Sequence, residues 1–473
     1  MARCKGQIKS KSKFSYKYMT ETSIWERKSV EVEGLREIKG WELIDRRPIP
    51  AWFDNVKFGI FIHWGVYSVP AWGPKKAYAE WYGHAIKDPN SDFYRFHKET
   101  YGEKFEYKDF APMFRAELFD ADSWAELFKE AGAGYVVLTS KHHDGFCLWP
   151  SVQSPNWNSC DVGPRRDIVG ELTAAVRKRN LKMGLYYSLM EWDNPLYLQD
   201  PSLYATKHMI PQMKDIINTY SPDLLFTDGE WDHSSHVWRS QEFLTWLFNE
   251  SKVRDQIVVN DRWGKETRSR HGGYYTTEYG EVTPGVELDY EDAEGMRKWE
   301  ECRGIGSSFG YNRNENLKDY MTETELIHLL VDTVSKGGNL LLNIGPAADG
   351  TIPVIMEERL LQIGDWLKIN GEAIYGTKPW TYSWTYSSYN DNVRFTRNDR
   401  HLYAICLDWP EKDLKLNIPN LDLQDPVVRL LGYPEKLDSV YRDNELYIKV
   451  PTYPAKHLPI GNAYAFKIEK AFK

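Results

Sequence analysis

Two carboxylic acids, Asp228 and Glu278, stand where a strand should end. Asp228 closes the apolar run Leu224-Leu225-Phe226-Thr227 and precedes Gly229, Glu230 and Trp231; Glu278 closes Tyr274-Tyr275-Thr276-Thr277. An unpaired carboxylate is costly to take out of water. One held out at the end of a buried run is therefore a candidate for chemistry. Two of them, from different strand ends, can face each other across a pocket and divide the work at a glycosidic bond. One serves as the acid. The other is a nucleophile at a separation of roughly 5 Å, or a base that activates water across a wider gap. Aromatic neighbours desolvate a carboxyl and raise its pKa, as a general acid needs. The plain alternative for either group is a salt bridge to Arg262 with no chemistry at all.

Other strand ends carry similar cargo: His63-Trp64, Lys141-His142-His143-Asp144, Tyr186-Tyr187, Asp261-Arg262-Trp263, Phe309 and Asn343. Ordinary strand ends carry turn residues, so this convergence of polar and aromatic groups marks one site. The histidines invite a metal. Adjacent histidines on a strand point to opposite faces, however, and no His-x-x-x-His pair of the zinc type occurs. The expected role is hydrogen bonding to ligand hydroxyls, with one of the His142-His143 pair a core histidine as the plain alternative. Neither metal nor cofactor is expected.

The elements that must position these groups follow from the pattern. Short β-rich runs at 58–64, 135–140, 182–188, 223–227, 257–260, 274–278, 307–311 and 339–344 alternate with amphipathic helical stretches at 122–132, 167–179 and 322–335. Thr322 and Glu325 form a capping box for the last of these, and a helix at 353–368 follows the eighth run. Eight such units predict a (β/α)8-like barrel over 41–375, with working residues at the C-terminal ends of the strands. An open doubly wound sheet would carry a glycine-rich phosphate loop after an early strand; the first run here ends in His63-Trp64-Gly65. After Asn370-Gly371 the helical period stops. Alternating runs at 393–396, 402–407, 414–418, 446–450 and 463–468 predict a C-terminal antiparallel β-sandwich over 376–473, whose plain role is to cap the barrel. Residues 1–40 are a tail and lead-in.

Composition narrows the partners. The 473 residues suggest two domains, and the net charge is −8. Beyond the N-terminal tail the cations are scattered, which argues against nucleic acid and against an anionic membrane surface. Mean hydropathy is −0.59, and no apolar stretch approaches the roughly 20 residues that span a bilayer. The tail is basic (Arg3, Lys5, Lys9, Lys11, Lys13) but lacks the apolar core of a signal peptide. Five cysteines without a Cys-x-x-Cys pair indicate neither a zinc site nor a disulfide framework; a single Cys147–Cys160 bridge stays open. With 19 Trp, 30 Tyr and 19 Phe, the chain has rings enough for a core and for a pocket that stacks on a sugar.

Four segments then resemble glycoside hydrolase family 29, the α-L-fucosidases: Phe58-Gly59-Ile60-Phe61-Ile62-His63-Trp64-Gly65, Lys141-His142-His143-Asp144-Gly145-Phe146, Asn260-Asp261-Arg262-Trp263-Gly264 and Phe309-Gly310-Tyr311-Asn312-Arg313. The resemblance spans about residues 40–375, and that family also carries a C-terminal β-sandwich. It implies a retaining exo-α-L-fucosidase acting on fucosylated oligosaccharides or glycoconjugates without a cofactor, with Asp228 as nucleophile. It implies that His63, Glu80, Trp81, His142, His143, Tyr187 and Arg262 hold the fucose or frame the nucleophile, and that Phe309 packs near its C6 methyl. Phe226 departs from the pattern, standing where some members have Trp. Glu278 is the expected acid/base and Glu300 its rival, while Glu287, Asp289 and Glu291 read as a solvated loop face. A secreted, periplasmic or lysosomal setting is what the resemblance implies. Two other readings stay open: a fucose-binding protein on a degenerate barrel, and another exo-glycosidase such as an α-L-galactosidase.

Overall fold

The computed structural model describes residues 38–278, 297–380 and 392–472, apart from 420, 422, 424 and 452–460. The acidic loop at Glu287, Asp289 and Glu291 lies outside the described residues, as does the basic tail.

Eight parallel strands form one sheet: β1 (Phe58–Ile62), β2 (Tyr135–Lys141), β3 (Lys182–Ser188), β4 (Leu224–Asp228), β5 (Val258–Val259), β6 (Tyr275–Glu278), β7 (Trp299–Gly304) and β8 (Asn339–Ile344). Their spatial order is β5-β4-β3-β2-β1-β8-β7-β6. The two edges are joined by Gly273 N–H donating to the Asn260 carbonyl at 2.9 Å and Tyr274 N–H to that of Val259 at 3.1 Å. A Cβ at Gly273 would fall 1.6 Å from the Val259 oxygen, so the seam closes only on a glycine. The result is the expected (β/α)8-like barrel.

One strand is not where the sequence predicts it. The seventh is Trp299–Gly304, and 307–311 is the loop beyond it. Glu300 and Glu301 make the true strand read as polar surface, yet both are buried. Helices flank the strands as expected: Ala121–Glu130, Ile168–Lys178, Glu323–Ser335 and Val354–Asn370. The Thr322 hydroxyl accepts from Glu325 N–H while the Glu325 carboxylate accepts from Thr322 N–H, which satisfies two otherwise orphan helix donors.

Side chains inside the barrel stack in layers, as strand parity requires. Phe61, Val137, Tyr186, Leu224, Phe226, Cys302 and Leu341 belong to one interior cluster, distinct from the cluster beneath the helices that holds Ile60, Val136, Tyr187 and Leu225. The first of these clusters forms the floor of the barrel mouth, its named side chains all at most 2% exposed. Below it, toward the N-terminal ends of the strands, the Tyr135 hydroxyl donates to Glu300. The Tyr135 ring fills the space beside Gly59, where a Cβ would come within 2.4 Å of it.

Among the described residues, the C-terminal segment forms two antiparallel sheets of six and three strands. In the strand Leu402–Cys406, Leu402, Ala404 and Cys406 face the core shared with Leu416, Leu446 and Ile448, whereas Tyr403 and Ile405 join the barrel's outer core. The contact is also polar. Trp366 Nε1 donates to the Ala463 carbonyl at 2.9 Å, and Arg394 Nε pairs with Asp332 at 2.6 Å. The six-stranded sheet thus packs against the helices Glu323–Ser335 and Val354–Asn370. Cys147, Cys160, Cys302 and Cys406 are all free, so the bridge left open between Cys147 and Cys160 does not form.

Glu300 offers a test of this floor. Burial raises its carboxyl from 4.5 to about 7, partly opposed by the Tyr135 hydroxyl. The folded protein therefore keeps a proton that the unfolded chain sheds between those values. This contribution to stability is complete below pH 4.5 and is lost as pH rises through 7. Glu300→Gln is expected to melt a few degrees above the wild type at pH 8, and the difference should shrink by pH 5. Thermal melts at the two pH values check it.

Candidate active site

Arg262 is the hub. It follows β5 on a loop tied down by Asp261, whose carboxylate accepts from Ser269 N–H at 2.8 Å and from the Thr276 hydroxyl at 2.7 Å. The Thr227 hydroxyl donates to the Arg262 carbonyl at 2.6 Å. The guanidinium lies only 2% exposed over the Phe226 ring, 5.0 Å from its centroid. Its Nε donates to Thr276 Oγ1 at 2.9 Å. Nη1 reaches both candidate carboxylates, Asp228 Oδ1 at 2.8 Å and Glu278 Oε1 at 2.5 Å. The salt bridges that were the plain alternative are therefore both made, by one nitrogen. Because that nitrogen is shared, the two oxygens lie at most about 5.3 Å apart, the sum of 2.8 and 2.5 Å. Among the described residues, Nη2 has no protein partner and remains a donor for a ligand.

Asp228 is held from three further sides. The Tyr186 hydroxyl donates to Oδ2 at 2.9 Å, His143 Nε2 lies 3.6 Å away, and Arg268 Nη2 lies 3.6 Å from Oδ1. Burial alone would raise this carboxyl. Arg262 above all, with Arg268 adding to it, outweighs burial and holds it well below the usual carboxylate range. It is ionised at any pH of interest, as a nucleophile must be.

The histidines are fixed in their neutral forms. Asn343 Nδ2 donates to the Phe309 carbonyl at 2.6 Å, which turns Oδ1 toward His63 Nδ1, also at 2.6 Å. His63 must then carry its proton on Nδ1 and present a bare Nε2. The same logic holds for His143. Ser188 Oγ donates to the Met190 carbonyl at 2.7 Å and so accepts from His143 Nδ1 at 2.6 Å. Burial pushes His63 down to about 3 and His143 down to about 4, the latter opposed by Asp228. Burial, with His143 and His63 adding to it, also carries His142 well below its usual value. Two neutral acceptors thus await donor hydroxyls.

Glu80 and Phe309 complete the wall. The Glu80 carboxylate accepts from Gly310 N–H at 2.8 Å and Ser308 Oγ at 3.1 Å, which fixes the loop after β7. Burial raises this carboxyl to about 7, against those hydrogen bonds. The Phe309 ring stands 4.9 Å from His63 and 5.6 Å from Tyr78. Trp81 stacks with Trp231 at 6.3 Å, and Trp231 is 39% exposed at the rim. Together these groups line a small cavity of about 90 Å³.

Most of the predicted residues meet there: Asp228, Glu278, His63, Glu80, Trp81, His142, His143, Arg262 and Phe309 all line the cavity. Tyr187 does not. It points outward, donating to Gln212 Oε1 at 2.8 Å beneath the Lys141 ammonium, and Tyr186 takes the interior place. Parity decides this, since Tyr186 shares the barrel interior with Phe61 and Phe226. The parity argument fails at the histidines, because register slips between Thr139 and Lys141. The chain leaves the strand there, and both rings reach the cavity with centroids 4.2 Å apart. Glu300 is removed from the site, buried at the other end of the barrel. Sequence reasoning named Tyr186 only as the strand-end neighbour of Tyr187, and left Tyr78, Trp231 and Arg268 out of the site. Only Tyr186 carried a signal, two residues before the strand end like Phe226 before Asp228.

The chain matches the family model described as alpha-L-fucosidase over residues 29–372 and the alpha-L-fucosidase C-terminal domain over 387–469. It is 47% identical to the tissue alpha-L-fucosidase of Rattus norvegicus, covering 91% of this chain and 92% of that one. It is 46% identical to its counterpart from Homo sapiens, over 90% and 91%. A solved structure of Thermotoga maritima alpha-fucosidase in complex with a mechanism-based inhibitor superposes with a TM-score of 0.77 at 39% identity, covering 92% of this chain and all of that one.

The neutral histidines set a pH expectation. Folded values of about 3 and 4 against 6.5 unfolded mean that their contribution to stability is complete above pH 6.5 and falls away as pH drops toward 4. In NMR titration, the ring resonances of His63 and His143 should stay fixed from pH 8 to 5. Either one titrating near 6.5 would contradict the hydrogen-bond assignment.

Proposed function

The chain belongs to the α-L-fucosidase family, and we propose that it removes terminal α-L-fucose from glycans by a retaining double displacement, with Asp228 as nucleophile and Glu278 as acid/base. The protein is a glycoside hydrolase with α-L-fucosidase activity; what is proposed is how its residues perform it. The observation that carries the proposal is that one Arg262 nitrogen touches both carboxylates, which puts the two facing oxygens, Asp228 Oδ1 at 2.8 Å and Glu278 Oε1 at 2.5 Å from it, no more than about 5.3 Å from each other. Retaining enzymes place their carboxyl groups at about 5–5.5 Å, whereas inverting ones need about 6.5–9.5 Å to seat a water.

In the first step an Asp228 oxygen attacks the anomeric carbon, the glycosidic C–O bond breaks, and Glu278 gives its proton to the departing oxygen. In the second, Glu278 takes a proton from water, whose oxygen attacks the same carbon and releases Asp228 as carboxylate. Two inversions leave the configuration unchanged. Glu278 suits the exchange because it is a third exposed, unlike Asp228. Three carboxylates, Asp228, Glu278 and Glu230, face two guanidiniums, Arg262 and Arg268.

The pocket supports a terminal 6-deoxy sugar. The Phe61–Tyr186–Phe226 layer closes its floor, so a chain cannot pass through. The bare Nε2 atoms of His63 and His143 accept from ring hydroxyls, the free Arg262 Nη2 donates, and Phe309 gives a methyl group an apolar wall. The extra hydroxyl of a galactoside would be rejected only modestly by such a wall.

Asp228→Gly should lose roughly a thousandfold or more in turnover of 4-nitrophenyl α-L-fucoside, with azide restoring activity as β-fucosyl azide. Glu278→Ala should retain the first step with this leaving group, and azide should yield the α-azide. Near wild-type activity in Glu278→Ala would move the acid/base elsewhere. Tyr186→Phe is expected to lower kcat/KM about tenfold, since the lost hydroxyl no longer fixes the orientation of the attacking carboxylate; Tyr187→Phe should act on stability instead.

A further inference from the structure

One carboxylate beside the site has no part in this chemistry. Gly229 adopts a left-handed conformation, φ 72°, and a Cβ there would meet Met190, Ser188 and His143. The turn leaves Glu230 only 1% exposed beside the nucleophile. Its Oε1 accepts from Arg268 Nε at 2.5 Å, and among the described residues its Oε2 has no partner. The same Arg268 reaches toward Asp228, but its Nη2 stops 3.6 Å from Oδ1. One guanidinium is thus shared unequally between two carboxylates, and Glu230 has the closer hold. Burial and the nearby Asp228 charge raise the Glu230 carboxyl, while Arg268 opposes them.

We propose that Glu230 is a positioning residue that holds Arg268 off the nucleophile, so that Asp228 keeps reactivity that a second close guanidinium would remove. The inference rests on the reading of Asp228 as nucleophile. When Asp228 attacks, its charge passes into an ester bond and the departing group. Every cation close to the carboxylate stabilises the state before attack more than the state after it, and slows the step. Arg262 already sits at hydrogen-bond distance. Were Arg268 to close from 3.6 Å to similar contact, the added attraction at an effective dielectric of about 20 would correspond to about tenfold in rate. Glu230 does not touch the cavity and acts only through Arg268.

The test is a double-variant cycle read as kcat/KM for 4-nitrophenyl α-L-fucoside, which reports attack by the nucleophile. Glu230→Gln, which keeps the shape and removes the charge, should fall about tenfold. Glu230→Gln/Arg268→Gln should run at least about threefold faster than Glu230→Gln, because the released guanidinium is gone. A purely structural role for the pair predicts the reverse, since the double variant loses more contacts. An unaffected Glu230→Gln overturns the proposal. So does any loss in the single variant, by misfolding or otherwise, that the second substitution leaves unrecovered. Asp228→Gly with azide, assayed alongside, separates the two levels. If it stays active without azide, the nucleophile reading fails; if it depends on azide and the cycle shows no recovery, only the role of Glu230 fails.

Discussion

A single buried nitrogen organises this protein. Arg262 Nη1 touches Asp228 at 2.8 Å and Glu278 at 2.5 Å, and burying that cation would cost several kcal/mol without those partners. Each carboxylate in turn would be a costly buried or half-buried charge without Arg262. The three groups come from β4, the loop after β5, and β6, so the barrel must bring those segments within a few ångströms of each other. It does so at the seam, where β5 and the chain entering β6 are joined by backbone bonds at Gly273 and Tyr274. Closure of the fold and assembly of the site are one event.

Around this hub the charges are graded. Asp228 is driven to ionisation by the guanidiniums around it, while burial pushes Glu80 toward protonation and raises Glu230 against the hold of Arg268. The histidines stay neutral and act as acceptors because Asn343 and Ser188 fix their tautomers. Carboxyl groups of one chemical type thereby take different roles through environment alone. The six-stranded C-terminal sheet stands behind the helices that follow β7 and β8.

The sequence made the strand ends legible and the strand interiors obscure, for one reason. In a barrel each strand is buried on both faces, so hydropathy carries no alternation to show which residue faces the pocket. Asp228 could be found because a carboxylate interrupts the apolar run. Tyr186 and Tyr187 could not be told apart, both being aromatic and buried. The seventh strand was hidden by Glu300 and Glu301, whose charges read as surface until Tyr135 and Thr277 are seen donating to them. The Glu230–Arg268 pair, 38 residues apart, had no local pattern. Family resemblance supplied most of the pocket residues, but only the folded chain shows that both carboxylates share Arg262.

The central claim is that this shared contact sets the two carboxylates for retention. Proton NMR of the first sugar released from 4-nitrophenyl α-L-fucoside by the wild-type enzyme tests it directly, before mutarotation mixes the anomers. The account predicts that the α-anomer of fucose appears first and the β-anomer only as mutarotation proceeds. Initial release of β-fucose would mean inversion, and would show that the Asp228–Arg262–Glu278 arrangement is not the one in which the bond is broken.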